Sequence, residues 1–258
     1  EREALREKEE RGEEEEAAAR ARVAADLGIA FSGGPPVQLP SSLLHSCTGG
    51  FREDRLIGEG AFGKVYEGMI DLSTAAATTA AGEEVAAAAA AGGDGRGWRR
   101  VAIKRMRMEP LVDADLGAHF EGPSAGASAA NRGDWQREVL ASLKREVQVL
   151  GAFHHPHVIR LVGYSYPGEA ELLEGGADLS QQQKMVCLVY EHGARGGLNT
   201  HLQDGRKAVE LPWARRVAIA LQVCKALNHL HCHDHGRPAF HRDVKASNIV
   251  LMDDFTPK

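Results

Sequence analysis

The sequence predicts an α+β fold, with short strands and one helix ahead of a longer helical region. Three observations predict it. The stretch Arg55 to Gly68, RLIGEGAFGKVYEG, alternates around glycines as a hairpin does. Short runs rich in β-branched and apolar residues recur at Val101–Lys104, Val158–Tyr166 and Met185–Tyr190. Two other segments, Trp135 to Leu150 and the stretch opening at Leu211-Pro212, carry apolar residues at helical spacing.

The elements follow in chain order. Residues 1–30 hold nine glutamates in the first sixteen positions. Glu7–Arg11 and Glu16–Arg20 stand in the favourable i,i+4 order, but no apolar stripe is long enough to force packing. Residues 1–50 are therefore expected to be an acidic, helical or disordered arm and linker, a solvated tail before it is a protein-binding one. Gly33-Gly34-Pro35-Pro36 breaks any helix there. Ordered structure is expected from Phe51, with a hairpin to Ile70 and a short strand at Val101–Lys104. Trp135–Leu150 places Val139, Leu143, Val147 and Leu150 on one helical face. Pro212 is tolerated in a first helical turn, and the helix it opens would bury Trp213, Val217, Leu221, Cys224 and Leu227. Segments 73–98 and 110–133, dominated by Ala, Gly, Ser and Thr, and the polar segment 167–183 are expected as insertions in loops. They cannot bury enough apolar surface to offset the entropy of ordering them. Long additions to loops cost little stability.

Bulk composition excludes several classes. A formal net charge of −5 over 258 residues gives no argument for nucleic acid. The four cysteines, Cys47, Cys187, Cys224 and Cys232, form no C-x-x-C and no framework spacing, so buried thiols in a reducing compartment are expected. No run of about eighteen apolar residues offers a membrane segment. The chain begins at Glu1 rather than methionine, which suggests an internal cut.

Gly58, Gly60 and Gly63 fit three phosphate-binding patterns at once. A dinucleotide-binding turn needs a helix after the glycines, where the pyrophosphate meets its N-terminus. Here Lys64-Val65-Tyr66-Glu67-Gly68 is β-branched, aromatic and stopped by glycine, a returning strand. A Walker loop needs a helix too, and a Ser or Thr after the lysine to hold Mg²⁺; position 65 is valine, which offers no oxygen. The third pattern is a flap of two strands whose glycines let backbone N–H groups lie over phosphates. A plain glycine hairpin stays equally open on this loop alone.

Downstream segments decide it. VAIK supplies Lys104, SLKREVQVL supplies Glu146, CLVYEHGARGGL follows as a strand and hinge, and HRDVKASN supplies His241, Arg242, Asp243, Lys245 and Asn248. In this order they resemble the protein kinase superfamily from Phe51 to Lys258, with valine at 244 where leucine is usual. Tyr190 in the gatekeeper position, LPWARRVAIA and HRDVKASNIVLMDDFTPK are similar to plant receptor-like and interleukin-receptor-associated kinases.

The resemblance implies a protein-kinase-like α+β fold with a complete small lobe and only the first part of the helical large lobe. It implies ATP and Mg²⁺ as cofactors and serine/threonine hydroxyls of a protein as acceptors. Lys104 would pair with the phosphates and with Glu146, Glu138 being the alternative partner two turns earlier. Ile57, Val65, Ala102 and Val250 would enclose adenine, beside Tyr190, and the backbone of Glu191 and Gly193 would hydrogen-bond its edge. Asp243 would orient the substrate hydroxyl, Lys245 would meet the charge on the transferring phosphoryl, and Asn248 would hold Mg²⁺. A cytoplasmic location follows, a membrane-anchored receptor-like parent remaining open.

Two tempting motifs have plainer readings. HLHCHDHGRPAFH gathers His229, His231, Cys232, His233, His235 and His241, a zinc-like composition. Ligands at every second residue of a helix end point to different faces, so a structural role is expected. HHPH, at His154 to His157, is likewise expected as a turn. Asp254-Phe255 mimics the metal-binding Asp-Phe-Gly, yet Thr256 replaces the glycine and the pair comes only six residues after Asn248. The family spacing is roughly a dozen. Asp253-Asp254 is therefore expected as a tight turn, with the true motif beyond Lys258. As given, the chain is expected to be a fragment with little phosphoryl transfer, a non-catalytic scaffold being the alternative.

Overall fold

The computed structural model describes residues 25–60, 63–71, 98–107, 129–166, 185–232 and 239–258, with scattered positions between 12 and 23; side chains at 129–136, 138 and 139 lie outside that description. The acidic run and the three expected insertions fall largely outside it, except that residues 129–133 are the start of a helix.

Six strands form one sheet in the order β1-β5-β6-β4-β3-β2: β1 Val37–Gln38, β2 Leu56–Gly60, β3 Gly63–Asp71, β4 Trp98–Met106, β5 Leu161–Ser165 and β6 Cys187–Glu191. All neighbours are antiparallel except β1 and β5. Helix α1 covers residues 25–31, α2 Ser41–Cys47 and α3 Ala129–Ala152.

Strand periodicity sends alternate residues to two cores. On one face Tyr66, Ile70, Val101, Ile103, Cys187 and Val189 pack against Leu27, Ala30, Leu39, Leu44 and Phe51. On the other, Met106, Leu161, Val186 and Leu188 pack against Leu140 and Leu143 of α3, with Val147 and Leu150 at the margin. Residues 25–50, expected in an arm and linker, are thus part of the packing. Leu27 and Leu44 have no exposed surface, although Ile29 stays half-exposed. Leu39 N also donates to Tyr164 O at 2.7 Å, extending the β1 pairing by one residue.

The second region hangs from a two-stranded ribbon, β7 Gly196–Gly197 with β8 Val250–Leu251. Helices α4 Leu198–Gln203, α5 Gly205–Ala208 and α6 Trp213–Cys232 follow β7. Its core is small: Leu211, Ile219 and Leu251, with Leu198, Val223 and Phe255 against them. This corrects the expected face of α6. Trp213, Val217, Leu221 and Cys224 are exposed and Leu227 is half-buried, whereas Ile219, Ala226 and Leu230 are buried. The helical period permits either stripe, and Leu251 and Leu198 approach on the Ile219–Val223 side.

The cysteine expectation is corrected for two residues. Burial pushes the thiols of Cys47 and Cys187 up to about 12 each, so both stay protonated. Cys224 and Cys232 are exposed on α6. The Asp253-Asp254 turn forms as expected. Met252 N donates to Thr256 O at 2.9 Å, the Asp254 carboxylate accepts from Thr256 N and Oγ1, and Pro257 pairs back to Leu251.

Candidate active site

Strand register assembles the upper half. Val65 on β3, Lys104 on β4 and Leu188 on β6 are direct cross-strand neighbours, and Ala102 lies between Glu67 and Tyr190. Paired residues share a sheet face, so Val65, Ala102, Lys104 and Tyr190 all stand on the side that packs on α3. There Lys104 Nζ lies 3.5 Å from Glu146 Oε2, each side chain about a quarter exposed at 24% and 28%. The Tyr190 hydroxyl donates to the other carboxylate oxygen, Glu146 Oε1. Burial, then the charge and hydrogen bond of Glu146, raises Tyr190 well above the usual phenol value, so it remains a neutral donor. Glu146 is thus a partner of Lys104, and the Glu138 side chain lies outside the described residues.

The three glycines of the hairpin have different reasons. Gly63 has φ 144°, and a Cβ there would lie 2.1 Å from the Arg105 carbonyl oxygen, so the β3–β4 approach itself demands glycine. A Cβ on Gly60 would meet nothing within 4 Å, and on Gly58 only Val65 from 3.8 Å. These two leave backbone bare toward open space, as a flap over phosphates requires. Ala61 and Phe62, at the tip, lie outside the described residues. Ile57 is half-exposed on β2. The glycine end of the hairpin is flanked by ion pairs, Lys64–Glu53 at 3.2 Å and Arg107–Glu59 at 3.7 Å.

The hinge brings Gly193 onto Val250. A Cβ at 193 would lie 2.9 Å from Val250 Cβ, so only glycine lets the chain come this close to β8. One residue pair earlier, Glu191 N donates to Arg160 O at 3.0 Å while Arg160 N donates to Glu191 Oε1 at 2.8 Å. Lys258 Nζ reaches the same Oε1 at 2.9 Å.

The lower half is a loop. Asp243 Oδ2 is 2.9 Å from Lys245 Nζ and accepts from Asn248 Nδ2 at 2.8 Å; the same nitrogen also donates to Asp243 O at 2.9 Å. Asp243 N donates to His241 Nδ1 at 3.3 Å, and Arg242 between them has φ 62°, a left-handed conformation that costs a non-glycine residue about 1–3 kcal/mol. The hydrogen bond from Lys245, then that from Asn248, holds the Asp243 carboxyl below its usual value, so it is ionised at neutral pH. These groups stand mostly in solvent, Asp243 at 59% and Lys245 at 54% exposure.

Among the described residues the arrangement suits a nucleotide's phosphates, and one side-chain oxygen suits their metal. A cation held by Glu146 and a bare glycine flap suit phosphates. With its nitrogen committed to Asp243, Asn248 keeps Oδ1 as a hard oxygen of the kind Mg²⁺ takes. Among the described residues no three His, Cys, Asp or Glu side chains converge as a metal site. The histidines pair as rings instead: His155 stacks on His229 at 4.9 Å and His231 tilts against Phe240 at 5.1 Å. His233 and His235 lie outside the description.

Two charged clusters on either side of one hinge are what a two-lobed protein kinase brings to a nucleotide, and the fold is of that class. Comparison with known proteins agrees. The family model described as protein kinase domain matches residues 128–258, just over half of the chain, and the chain belongs to that family. The match begins after the glycine hairpin and Lys104, but the similarity to curated relatives reaches further. A putative receptor-like protein kinase of Arabidopsis thaliana is 31% identical over 215 residues, covering 83% of this chain and 34% of its own length. The calmodulin-binding receptor-like cytoplasmic kinase 3 and the probable serine/threonine-protein kinase PBL21 of the same plant are each 28% identical, over 86% and 83% of this chain and 31% and 39% of their own. The chain thus spans less than two fifths of the length of these relatives. An apo pseudokinase structure superposes with a TM-score of 0.55 at 20% identity, over 87% of this chain and 58% of that one, which supports the fold alone.

Sequence reasoning missed Arg160 and Lys258. Arg160 belongs to no quoted motif, and Lys258 ends one without an assigned role; the available signal was the Asp253-Asp254 turn, which returns Lys258 to β8 and so to the hinge.

Proposed function

We propose that the protein is a serine/threonine protein kinase, transferring the γ-phosphoryl of ATP to a side-chain hydroxyl of a protein substrate. The observation that carries the reading is the Lys104–Glu146 pair, assembled from a strand and a helix more than forty residues apart in sequence and fixed by Tyr190. The names of the relatives support the serine/threonine class.

In this reading the N–H groups of the hairpin around Gly58 and Gly60 lie along the phosphates, and Lys104 takes the α- and β-phosphates. Ile57, Val65, Ala102 and Val250 enclose the purine, and main-chain groups of Glu191 and Gly193 meet its edge. The ionised Asp243 accepts a hydrogen bond from the acceptor hydroxyl and aims it at phosphorus. Lys245, already beside that carboxylate, is placed to meet negative charge on the transferring oxygens. Asn248 Oδ1 would hold Mg²⁺, which when bound neutralises phosphate charge. The cytoplasm is the fitting compartment; among the described residues no helix is long and apolar enough to cross a membrane.

The test is calorimetric titration of the chain with ATP and Mg²⁺, followed by radiolabel transfer to a generic protein substrate. Lys104→Met should weaken ATP binding by about 10- to 100-fold through loss of a charge-assisted contact. Asp243→Asn should leave affinity within about threefold and lower any transfer by roughly 10³-fold. Failure to bind ATP defeats the reading. Binding without transfer in wild type would instead favour a nucleotide-binding scaffold.

A further inference from the structure

No side-chain role has been assigned above to Lys258 or to Glu191, yet their ion pair is more enclosed than either charged cluster of the site. Their side chains are 14% and 17% exposed, against 24% and 28% for Lys104 and Glu146. Such burial is costly unless the charges are paired and their remaining valences satisfied. Here they are tied on both sides. Glu191 Oε1 takes the Lys258 ammonium at 2.9 Å and the Arg160 N–H at 2.8 Å, while Glu191 N occupies the Arg160 carbonyl at 3.0 Å. Arg160 therefore spends both main-chain groups on Glu191. Lys258 in turn exchanges both main-chain hydrogen bonds with Val250, at 3.0 and 2.9 Å.

The connectivity matters more than the pair. Glu191 closes β6, and its main chain is the edge that would face a purine. Val250 opens β8, packs under Gly193, and would be the floor of the same slot. The side-chain bridge from Lys258 to Glu191 thus joins edge to floor, and Arg160 joins both to the strand β5 approach. His157 Nδ1, 3.3 Å from Pro257 O, adds a second tether of this turn to the small lobe.

We infer that Glu191 and Lys258 are positioning residues, a charged strut that sets the separation of hinge and floor and so the fit of the adenine ring. The inference rests on the nucleotide-binding reading above. It assigns the Glu191 carboxylate a role distinct from that of its main chain, and it gives the end of the 252–258 turn a part in recognition without contact to the ligand.

The experiment measures the affinity of the 258-residue chain for ATP and, separately, for inorganic tripolyphosphate, in wild type, Lys258→Met, Lys258→Arg and the double variant Glu191→Gln/Lys258→Met. Tripolyphosphate presents the phosphates without the purine, so it reports on Lys104 and the flap alone. The strut predicts that Lys258→Met weakens ATP by about tenfold with tripolyphosphate unchanged, that Lys258→Arg restores most of the loss, and that the double variant is no weaker than the single one. Equal ATP affinity in wild type and Lys258→Met overturns the inference and leaves the nucleotide reading standing. Parallel loss of both ligands also overturns it, since that marks a general loosening of the fold. If wild type binds tripolyphosphate but no ATP, the nucleotide reading fails and the strut's role falls with it.

Discussion

Lys104 and Asp243 are both charged groups that must be held still, and the two regions of the molecule hold them differently. Lys104 sits in mid-strand, with Val65 and Leu188 on either side in register and Glu146 above it from a helix packed through Leu140 and Leu143. Its position is a by-product of two hydrophobic cores. Asp243 sits on a mostly exposed loop, held by Lys245, Asn248, His241 and the left-handed turn at Arg242. Its position depends on local hydrogen bonds, each worth only about 0.5–1.5 kcal/mol net, somewhat more where a charge takes part. The difference teaches that the upper half of the site is as stable as the fold, whereas the lower half is only as ordered as its own polar contacts.

The largest expected effect sharpens that contrast through the cores themselves. Leu188 is fully buried beside Lys104, so Leu188→Ala should cost about 2–5 kcal/mol and lower the melting temperature by roughly 5–15 °C. Leu221, 56% exposed on α6, should tolerate alanine within about 0.5 kcal/mol. Paired thermal melts of the two variants check this. A loss above about 1 kcal/mol for Leu221→Ala would break the comparison, because the α6 stripe would then be covered in solution.

Next comes Gly63→Ala. The new methyl would meet the Arg105 carbonyl at 2.1 Å on a backbone with φ 144°, so strand β3 must shift from β4. About 3 kcal/mol is expected, with a fall of roughly 5–10 °C in melting temperature. Gly60→Ala, which meets nothing within 4 Å, should leave stability within about 1 kcal/mol. Equal melts for the two variants would show that the glycine end of the hairpin is not clamped against β4 as the register indicates.

These residues also mark what was legible in the sequence. The glycine hairpin, the Lys104 strand, the Glu146 helix and the Asp253-Asp254 turn were legible because each is a local pattern of period, glycine placement or turn chemistry, and the Asp243 loop only because HRDVKASN resembles a family motif. Residues 25–50 were not, since Leu27, Leu39 and Leu44 are isolated apolar residues whose burial depends on a sheet formed far downstream. The buried stripe of α6 was misjudged for a related reason. Trp213, Val217 and Leu221 make as good a period as Ile219, Val223 and Leu230, and only the position of Leu251 chooses between them. The Lys258–Glu191 pair joins the end of strand β6 to the turn after β8, far apart in the chain, and leaves no trace in spacing.

The smallest effect tests the seam between the two regions. His155, in the turn after α3, stacks on His229 of α6 at 4.9 Å and lies 5.4 Å from the His157 ring. Desolvation, then the nearby His229, His157, Lys225 and Lys258, lowers its affinity for a proton below the ordinary value of 6.5. The unfolded chain then binds that proton more readily than the folded one. The contribution to stability is present above pH 6.5 and is lost as the pH falls through the depressed folded value. His192, lowered chiefly by desolvation and partly offset by Glu67, acts in the same direction, so the difference between variants carries the test. Wild type should lose more melting temperature than His155→Asn between pH 7.5 and 5.5, by no more than about 2 °C because the site is partly solvated. Asparagine can still accept the hydrogen bond from His157 N that His155 Nδ1 takes at 3.1 Å, so the substitution removes the titration and leaves the turn. If the two proteins lose the same amount, the packing of the small lobe on α6 does not sense this imidazole, and the seam belongs with the exposed, locally ordered half of the molecule.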